Sequence, residues 1–184
     1  NDFTLSLNKP DEIIYHSNFH DDWKISLIET GLHSMTGSRI SQIRDLVDDD
    51  FMLTYGDAVS DINLADLKKF HESHNKTLTV TGVRPPGRFG ELQEDDGLVE
   101  AFNEKPQTSS GRVSGGFFVA KTKIFNYLSN DKNLVFEESP ISQLVDAKEL
   151  MMFKHNGFWQ PMDTSRDNRL LNEMYLNQDI KWKL

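Results

Sequence analysis

No cysteine occurs among the 184 residues. That excludes a disulfide framework and every thiolate metal site, and it fits a reducing, cytoplasmic setting. No apolar run approaches the roughly 20 residues of a membrane helix, and none reads as a signal peptide, so no membrane partner is expected. Basic residues are scarce, with 20 Lys and Arg against 29 Asp and Glu and a formal net charge of −9. A general nucleic-acid binder needs a cationic excess to neutralise phosphates, so that class is excluded as well. An acidic chain that takes a small anion must instead supply a local cation cluster or a metal. What is present, 37% hydrophobic and 27% charged residues, is enough for one sizeable core and one domain. The first residue is Asn1 rather than Met, and Phe3 to Leu7 already alternates like a half-buried strand. The N-terminus is therefore expected to be cut or processed, and the domain to be N-terminally incomplete.

Periodicity divides the rest into alternating strands and helices. Trp23 to Glu29 repeats the apolar–polar alternation of a strand. A loop, Thr30 to Arg39, feeds a helix with Ile40, Ile43, Leu46 and Val47 at helical spacing. Phe51 to Tyr55 is a short apolar run suited to a strand buried on both faces. A helix over Leu64 to His74 takes Asn63 as its N-cap and Leu64, Leu67 and Phe70 as its buried stripe. Thr77 to Val83 is a strand. Phe89–Leu92 and Leu98–Phe102 flank the acidic turn Glu94–Gly97 as a hairpin. Gly115–Val119 and Leu150–Phe153 are strands, and Thr122–Leu128, Pro140–Ala147 and Arg166–Leu176 are helices. Alternation with an inserted hairpin predicts an α/β fold: a Rossmann-like three-layer sandwich with a mixed, mostly parallel sheet. Ligands of such sheets sit beyond the carboxyl ends of the strands.

Several residues near those ends suit chemistry, each with a plain structural alternative. In Leu53-Thr-Tyr-Gly-Asp57, an apolar strand runs into a glycine and then a carboxylate. Gly56 removes a side chain where a ligand could approach the backbone, and Asp57 suits Mg²⁺, which takes one or two carboxylates plus phosphate oxygens and water. The alternative for Asp57 is an ordinary turn or cap residue. Asp163, in Gly157-Phe-Trp-Gln-Pro-Met-Asp-Thr164, is a second candidate ligand whose alternative is the N-cap of the last helix. Thr36-Gly37-Ser38-Arg39 offers helix-start amides and a guanidinium to an anion, or else a cap and a solvated arginine. Glu104-Lys105 could meet a sugar hydroxyl and a phosphate, or be a solvated pair. Arg88, in Pro85-Pro-Gly-Arg-Phe-Gly90, reads first as part of a turn. His71 and His74 lack an acidic or Cys partner at ligand spacing and read as surface residues, and Asp48-Asp49-Asp50 reads as a solvated loop.

In order, Thr30-Gly31, Ser34-Met-Thr-Gly-Ser-Arg39, Phe51-Met-Leu-Thr-Tyr-Gly-Asp57, PPGRFG, Glu104-Lys105-Pro106, Gly115-Gly-Phe-Phe-Val119 and GFWQPMDT closely resemble the glucose-1-phosphate cytidylyltransferase family of sugar-1-phosphate nucleotidyltransferases. The likeness runs from about Trp23 to the C-terminus. It implies a Rossmann-like enzyme that joins CTP and α-D-glucose 1-phosphate into CDP-glucose and diphosphate, for the dideoxysugars of bacterial surface polysaccharide. It implies Mg²⁺ on Asp57 and Asp163, substrate contacts from Ser34, Arg39 and Gly56, and Glu104 and Lys105 facing the sugar phosphate, with Arg39 and Lys105 assisting the reaction. A cytoplasmic homo-oligomer is expected. The family's opening strand, its GGxGTR loop and a phosphate-binding lysine have no counterpart within these residues. Roughly 70 upstream residues are therefore expected, the length of a βαβ unit and more. Ser38, Ala58 and Ser114 stand where the family usually has Gly, Gly and Asn, and Ser114 leaves the sugar the less secure half of the assignment. Two other readings compete: a non-catalytic sugar-phosphate or nucleotide-binding module, and a metal-dependent glycosyltransferase.

Overall fold

Strand β8 (Val113–Lys121) organises the molecule through the two-residue period of its side chains. Phe118 and Ala120 enter one core cluster with Ile40, Leu78, Ile124, Phe125, Phe136 and Leu144. Val119 enters the other, with Ile62 and Leu67, against which Phe117 packs. Strand β8 is therefore buried on both faces, whereas the Phe51–Tyr55 run, expected to be so, lies at the sheet edge and leaves Met52 46% exposed. Each fully buried residue such as Phe136, Ile124 or Leu144 contributes about 1.5–3 kcal/mol of apolar burial.

The computed structural model of the chain describes residues 3–6, 8–16, 24–47, 49–85, 91–95, 98–103 and 111–182. The central sheet has the order β3 (Asp50–Thr54), β8, β5 (Leu78–Val83), β9 (Leu150–Lys154). Strand β8 is antiparallel to β3 and β5, and β5 is parallel to β9. Strands β3, β5 and β9 thus point the same way, and β8 alone runs back. Helix α1 (Thr36–Gln42) and α3 (Ser139–Asp146) contribute Ile40 and Leu144 to one face, and α2 (Leu64–His74) contributes Leu67 to the other. The three-layer α/β arrangement expected from the alternation is present. Short antiparallel pairs flank the sheet: β1 (Phe3–Ser6) with β2 (Lys9–Tyr15), β6 (Glu91–Asp95) with β7 (Leu98–Asn103), and β4 (Ala58–Ser60) with β10 (Trp159–Pro161). The β6–β7 pair is the expected inserted hairpin, and α4 (Ser165–Leu176) closes the chain.

Three expectations are corrected. Residues 24–30 form no strand, and Ile25 and Leu27 are 75% and 91% exposed. Alternation creates a strand only where a neighbour takes up its backbone groups, and none among the described residues does. Thr122–Tyr127 winds as a 3-10 segment rather than an α-helix, closed by a Leu128 N–H bond to the Phe125 carbonyl at 3.4 Å. The buried stripe of α2 is rotated from the expected one, since Leu64 is exposed while Leu67 and His71 are fully buried. His71 is therefore a core residue and His74 is half-buried. Asn63 does cap α2, accepting from the amides of Ala65 and Asp66 at 3.0 and 3.1 Å.

The two histidines converge on Thr79 of β5. Its hydroxyl lies 2.8 Å from His71 Nδ1 and 2.9 Å from His74 Nε2. Lys76 N–H donates to His74 Nδ1, so neutral His74 carries its proton on Nε2 and donates to Thr79. Burial lowers the pKa of both histidines, and nearby Lys121 pushes in the same direction. The native state thus refuses protons that the unfolded chain accepts. Stability from this pair is complete above pH 6.5, the ordinary histidine value, and falls as the pH drops from there toward the lowered native values. Glu149 accepts from the Thr77 hydroxyl at 2.6 Å and the Thr77 amide at 2.9 Å, and these bonds hold its pKa below the ordinary 4.5. A second loss is expected below about pH 4.5 as that carboxylate is protonated. Urea unfolding between pH 8 and pH 3.5 checks both; stability that stays level or rises between pH 6.5 and 5 would contradict the histidine assignment. A further expectation concerns Gly116, which has φ +77° and whose added Cβ would lie 2.7 Å from the Tyr55 ring. Gly116→Ala should cost about 1–3 kcal/mol in the same assay.

Candidate functional site at the strand ends

The sheet directions gather the carboxyl ends of β3, β5 and β9 and the amino end of β8 at one end of the molecule. This is where open α/β sheets bind ligands. The Tyr55-Gly56-Asp57 turn leaves β3 there and runs directly into β4. Strand β4 pairs with β10 in the register Trp159–Ser60, Gln160–Val59 and Pro161–Ala58. The ladder is extended by the Met162 amide, which donates to the Asp57 carbonyl at 2.7 Å. Asp57 and Asp163, far apart in sequence, therefore stand at the same end of one short ribbon, and both are exposed.

The remaining GFWQPMDT residues tie this ribbon to the main sheet. The Trp159 indole donates to the Gly115 carbonyl at 2.9 Å. The Tyr55 amide donates to the Gly116 carbonyl at 3.2 Å. His155 Nε2 lies 2.9 Å from Asp61 Oδ1, and the Ser60 hydroxyl donates to the Phe158 carbonyl at 2.6 Å. Gly157 leaves room for this latch, because an added Cβ would run into the Asp61 carboxylate and the His155 ring. Gln160 is buried and donates to the Pro161 carbonyl at 2.9 Å.

The cap of α4 is Thr164. Its hydroxyl accepts from the Asp167 amide at 3.2 Å, and Asp167 Oδ2 accepts from the Thr164 amide at 3.0 Å, a reciprocal capping box. The capping role weighed for Asp163 thus belongs to its neighbour. Asp57 precedes a strand rather than a helix, so it caps nothing either. Gly56 has open space around its missing side chain, with no atom within 4 Å of an added Cβ. Nothing in the described residues demands glycine at that position. Two carboxylates at one end of a ribbon are oxygen donors of the kind that Mg²⁺ takes together with phosphate oxygens. Among the described residues no group of three or more His, Asp or Glu side chains could hold a metal by itself.

The Thr30–Arg39 loop is arranged differently from its sequence reading. Gly37 and Ser38 amides both donate to the Leu134 carbonyl, at 2.9 and 3.3 Å, and Met35 N–H donates to the Lys132 carbonyl. The first-turn amides of α1 are thus spent on a neighbouring loop rather than presented to an anion. Ser38 is buried there, and an added Cβ on Gly37 would press on Leu134 at 2.9 Å. Arg39 curls over its own loop: Nε donates to the Ser34 carbonyl at 2.8 Å, Nη1 to the Thr30 hydroxyl at 2.6 Å and Nη2 to the Leu32 carbonyl at 3.3 Å. Ser34 and Arg39 are therefore together, on the loop entering α1. Glu104, Lys105 and Arg88 lie outside the described residues. The sequence reading missed Asp61, His155 and Arg112. Their positions just beyond β4 and β9 and just before β8 were the available signal, since each adjoins a strand end. No helix among the described residues is long and apolar enough to cross a membrane.

Comparison with known proteins bears on the fold and the family. Residues 5–173 match the family described as Nucleotidyl transferase. The glucose-1-phosphate cytidylyltransferase of Salmonella typhi is 39% identical over 170 residues, which cover 91% of this chain and 66% of that protein. The chain thus spans just under two thirds of the length of that curated relative. A mannose-1-phosphate guanyltransferase of Schizosaccharomyces pombe is 23% identical over 99% of this chain and 53% of its own length. Among solved structures, the inositol-1-phosphate CTP transferase of T. maritima superposes with a TM-score of 0.54 at 13% identity, covering 83% of this chain and 65% of that one, a likeness of fold. With the fold and a match across most of its length in agreement, the chain belongs to the nucleotidyl transferase family.

Proposed function

We propose that the protein joins CTP and α-D-glucose 1-phosphate into CDP-glucose and diphosphate, a step toward the dideoxysugars of bacterial surface polysaccharide. One juxtaposition supports the reading: Asp57 and Asp163 lie at the same end of the β4–β10 ribbon, beyond the carboxyl end of β3. The 39% identity to a glucose-1-phosphate cytidylyltransferase over most of the chain supports CTP and this sugar among the family's possible substrates.

Both reactants are anions, so the difficulty is to bring them together. An oxygen of the sugar phosphate attacks the α-phosphorus of CTP in line. The new P–O bond forms as the bond from the α-phosphorus to the bridging oxygen breaks, and diphosphate leaves with that electron pair. No general base is needed, because a phosphate dianion is already a nucleophile. Asp57 and Asp163 would hold Mg²⁺, which supplies charge neutralisation at the α-phosphate. Gly56 leaves the backbone open beside them. Lys105 orients the attacking phosphate, Glu104 accepts sugar hydroxyls, and Ser34 and Arg39 hold substrate from the loop entering α1. Catalysis is then positioning and electrostatic stabilisation.

The test is diphosphate release by the whole protein with each nucleoside triphosphate and a panel of sugar 1-phosphates. Fastest turnover with dTTP would overturn the cytidylyl assignment, while a different preferred sugar with CTP would correct the acceptor alone. Asp57→Asn is expected to lower kcat by about 100-fold or more while leaving the melting temperature unchanged, because the side chain is exposed. Gly56→Ala should alter folding stability by less than about 0.5 kcal/mol yet reduce turnover, in contrast to Gly116→Ala. Full activity in Gly56→Ala would remove Gly56 from the site.

A further inference from the structure

Arg112 immediately precedes β8, at the same end of the sheet as Asp57. Its Nη1 donates to the Gly82 carbonyl at 2.9 Å and to the His155 carbonyl at 2.6 Å, and its Nη2 donates to Asn156 Oδ1. A guanidinium carries five N–H donors. Here three are spent on neutral oxygens, and no carboxylate among the described residues pairs with the group. Nε–H and one Nη2–H have no partner among the described residues. Among the described residues the cation is thus anchored without being neutralised.

The anchor is built into the sheet. An added Cβ on Gly82 would lie 3.3 Å from Arg112 Cδ and would run into Met152, so the glycine leaves the channel in which the arginine stem lies. Two further cations stand nearby. Lys154 is the register partner of Gly82 on β9. Arg84 follows Val83, whose partner on β8 is Val113, the residue after Arg112. In a chain of net charge −9, three cations stand at the ends of three adjacent strands. A guanidinium with part of its fork held and two donors left over matches the oxygens of a phosphoryl group, which accept such paired bonds in one plane.

We propose that Arg112 is an oxyanion subsite, taking phosphoryl oxygens of a phosphate monoester or diphosphate through Nε–H and the remaining Nη2–H. Only the identity of that phosphate rests on the function proposed above; the subsite itself rests on the anchored cation. Holding the fork on backbone carbonyls also ties the subsite to β5 and to the turn after β9, so a bound anion is placed relative to the β4–β10 ribbon through His155.

The experiment follows the Arg112 Nε–Hε resonance of the ¹⁵N-labelled chain, identified by its absence in Arg112→Lys. The chain is titrated with inorganic phosphate, diphosphate, glucose 1-phosphate and, as the neutral control, glucose. Expected is a saturable downfield shift of that resonance with the three anions and none with glucose, together with affinity for the anions that falls at least about tenfold in Arg112→Gln. Tightest binding of glucose 1-phosphate assigns the subsite to the sugar phosphate, and tightest binding of diphosphate assigns it to the leaving group. An unmoved resonance at saturating anion, or unchanged anion affinity in Arg112→Gln, overturns the proposal. The resonance is read on the unsubstituted chain, so the test holds even if Arg112→Gln does not fold. Because no turnover is measured, a wrong cytidylyl assignment leaves the subsite standing. An unmoved resonance in a protein that does turn over CTP removes the subsite alone.

Discussion

The hydrogen bond from the Met162 amide to the Asp57 carbonyl, continuing the β4–β10 ladder, is the contact on which the candidate site depends. Without it Asp57 belongs to a turn after one strand and Asp163 to the approach of a terminal helix. The ladder is only three residue pairs long, and a two-stranded ribbon of that size does not hold its shape in water unaided. It is held because Trp159, Tyr55 and the His155–Asp61 pair fasten both of its strands to the end of the central sheet. The aromatic and glycine content of GFWQPMDT follows from this. Trp159 reaches the Gly115 carbonyl, Gly157 clears the Asp61 carboxylate, and Thr164 caps α4, so Asp163 is not needed for the cap.

Charge is handled in a way the net value hides. The chain is strongly acidic, yet among the described residues Arg39 and Arg112 bond carbonyl, hydroxyl and amide oxygens rather than carboxylates. Neutral partners orient a guanidinium at little cost to its charge, whereas a carboxylate would have cancelled it.

Much of the fold was legible from period and punctuation. Asn63 as a cap, the apolar Phe51–Tyr55 strand and the inserted hairpin follow from local chemistry that needs no distant partner. The misreadings share one cause. Ile25 and Leu27 alternate as a strand does, but a strand is completed by a neighbour's backbone groups, and residues 24–30 have none among the described residues. His71 looks like surface by residue type, although its spacing from Leu67 and His74 puts it on the inner face of α2, where the Thr79 hydroxyl makes burial tolerable. The amides of α1 looked available until the Leu134 carbonyl occupied them.

The sequence by itself determined the class of chemistry. Its motif order identified the family, and the lack of cysteine within it leaves no thiolate metal ligand. Which groups meet was decided only by the tertiary structure. Local propensity acts over a few residues, while the clamp of Arg112 on Gly82 and His155 joins residues 30 and 43 apart, and the pairing of β4 with β10 joins segments further apart still. Those contacts form only when the core beneath them has been buried on both faces of β8, because it is that burial which compensates the entropy of bringing distant backbone together.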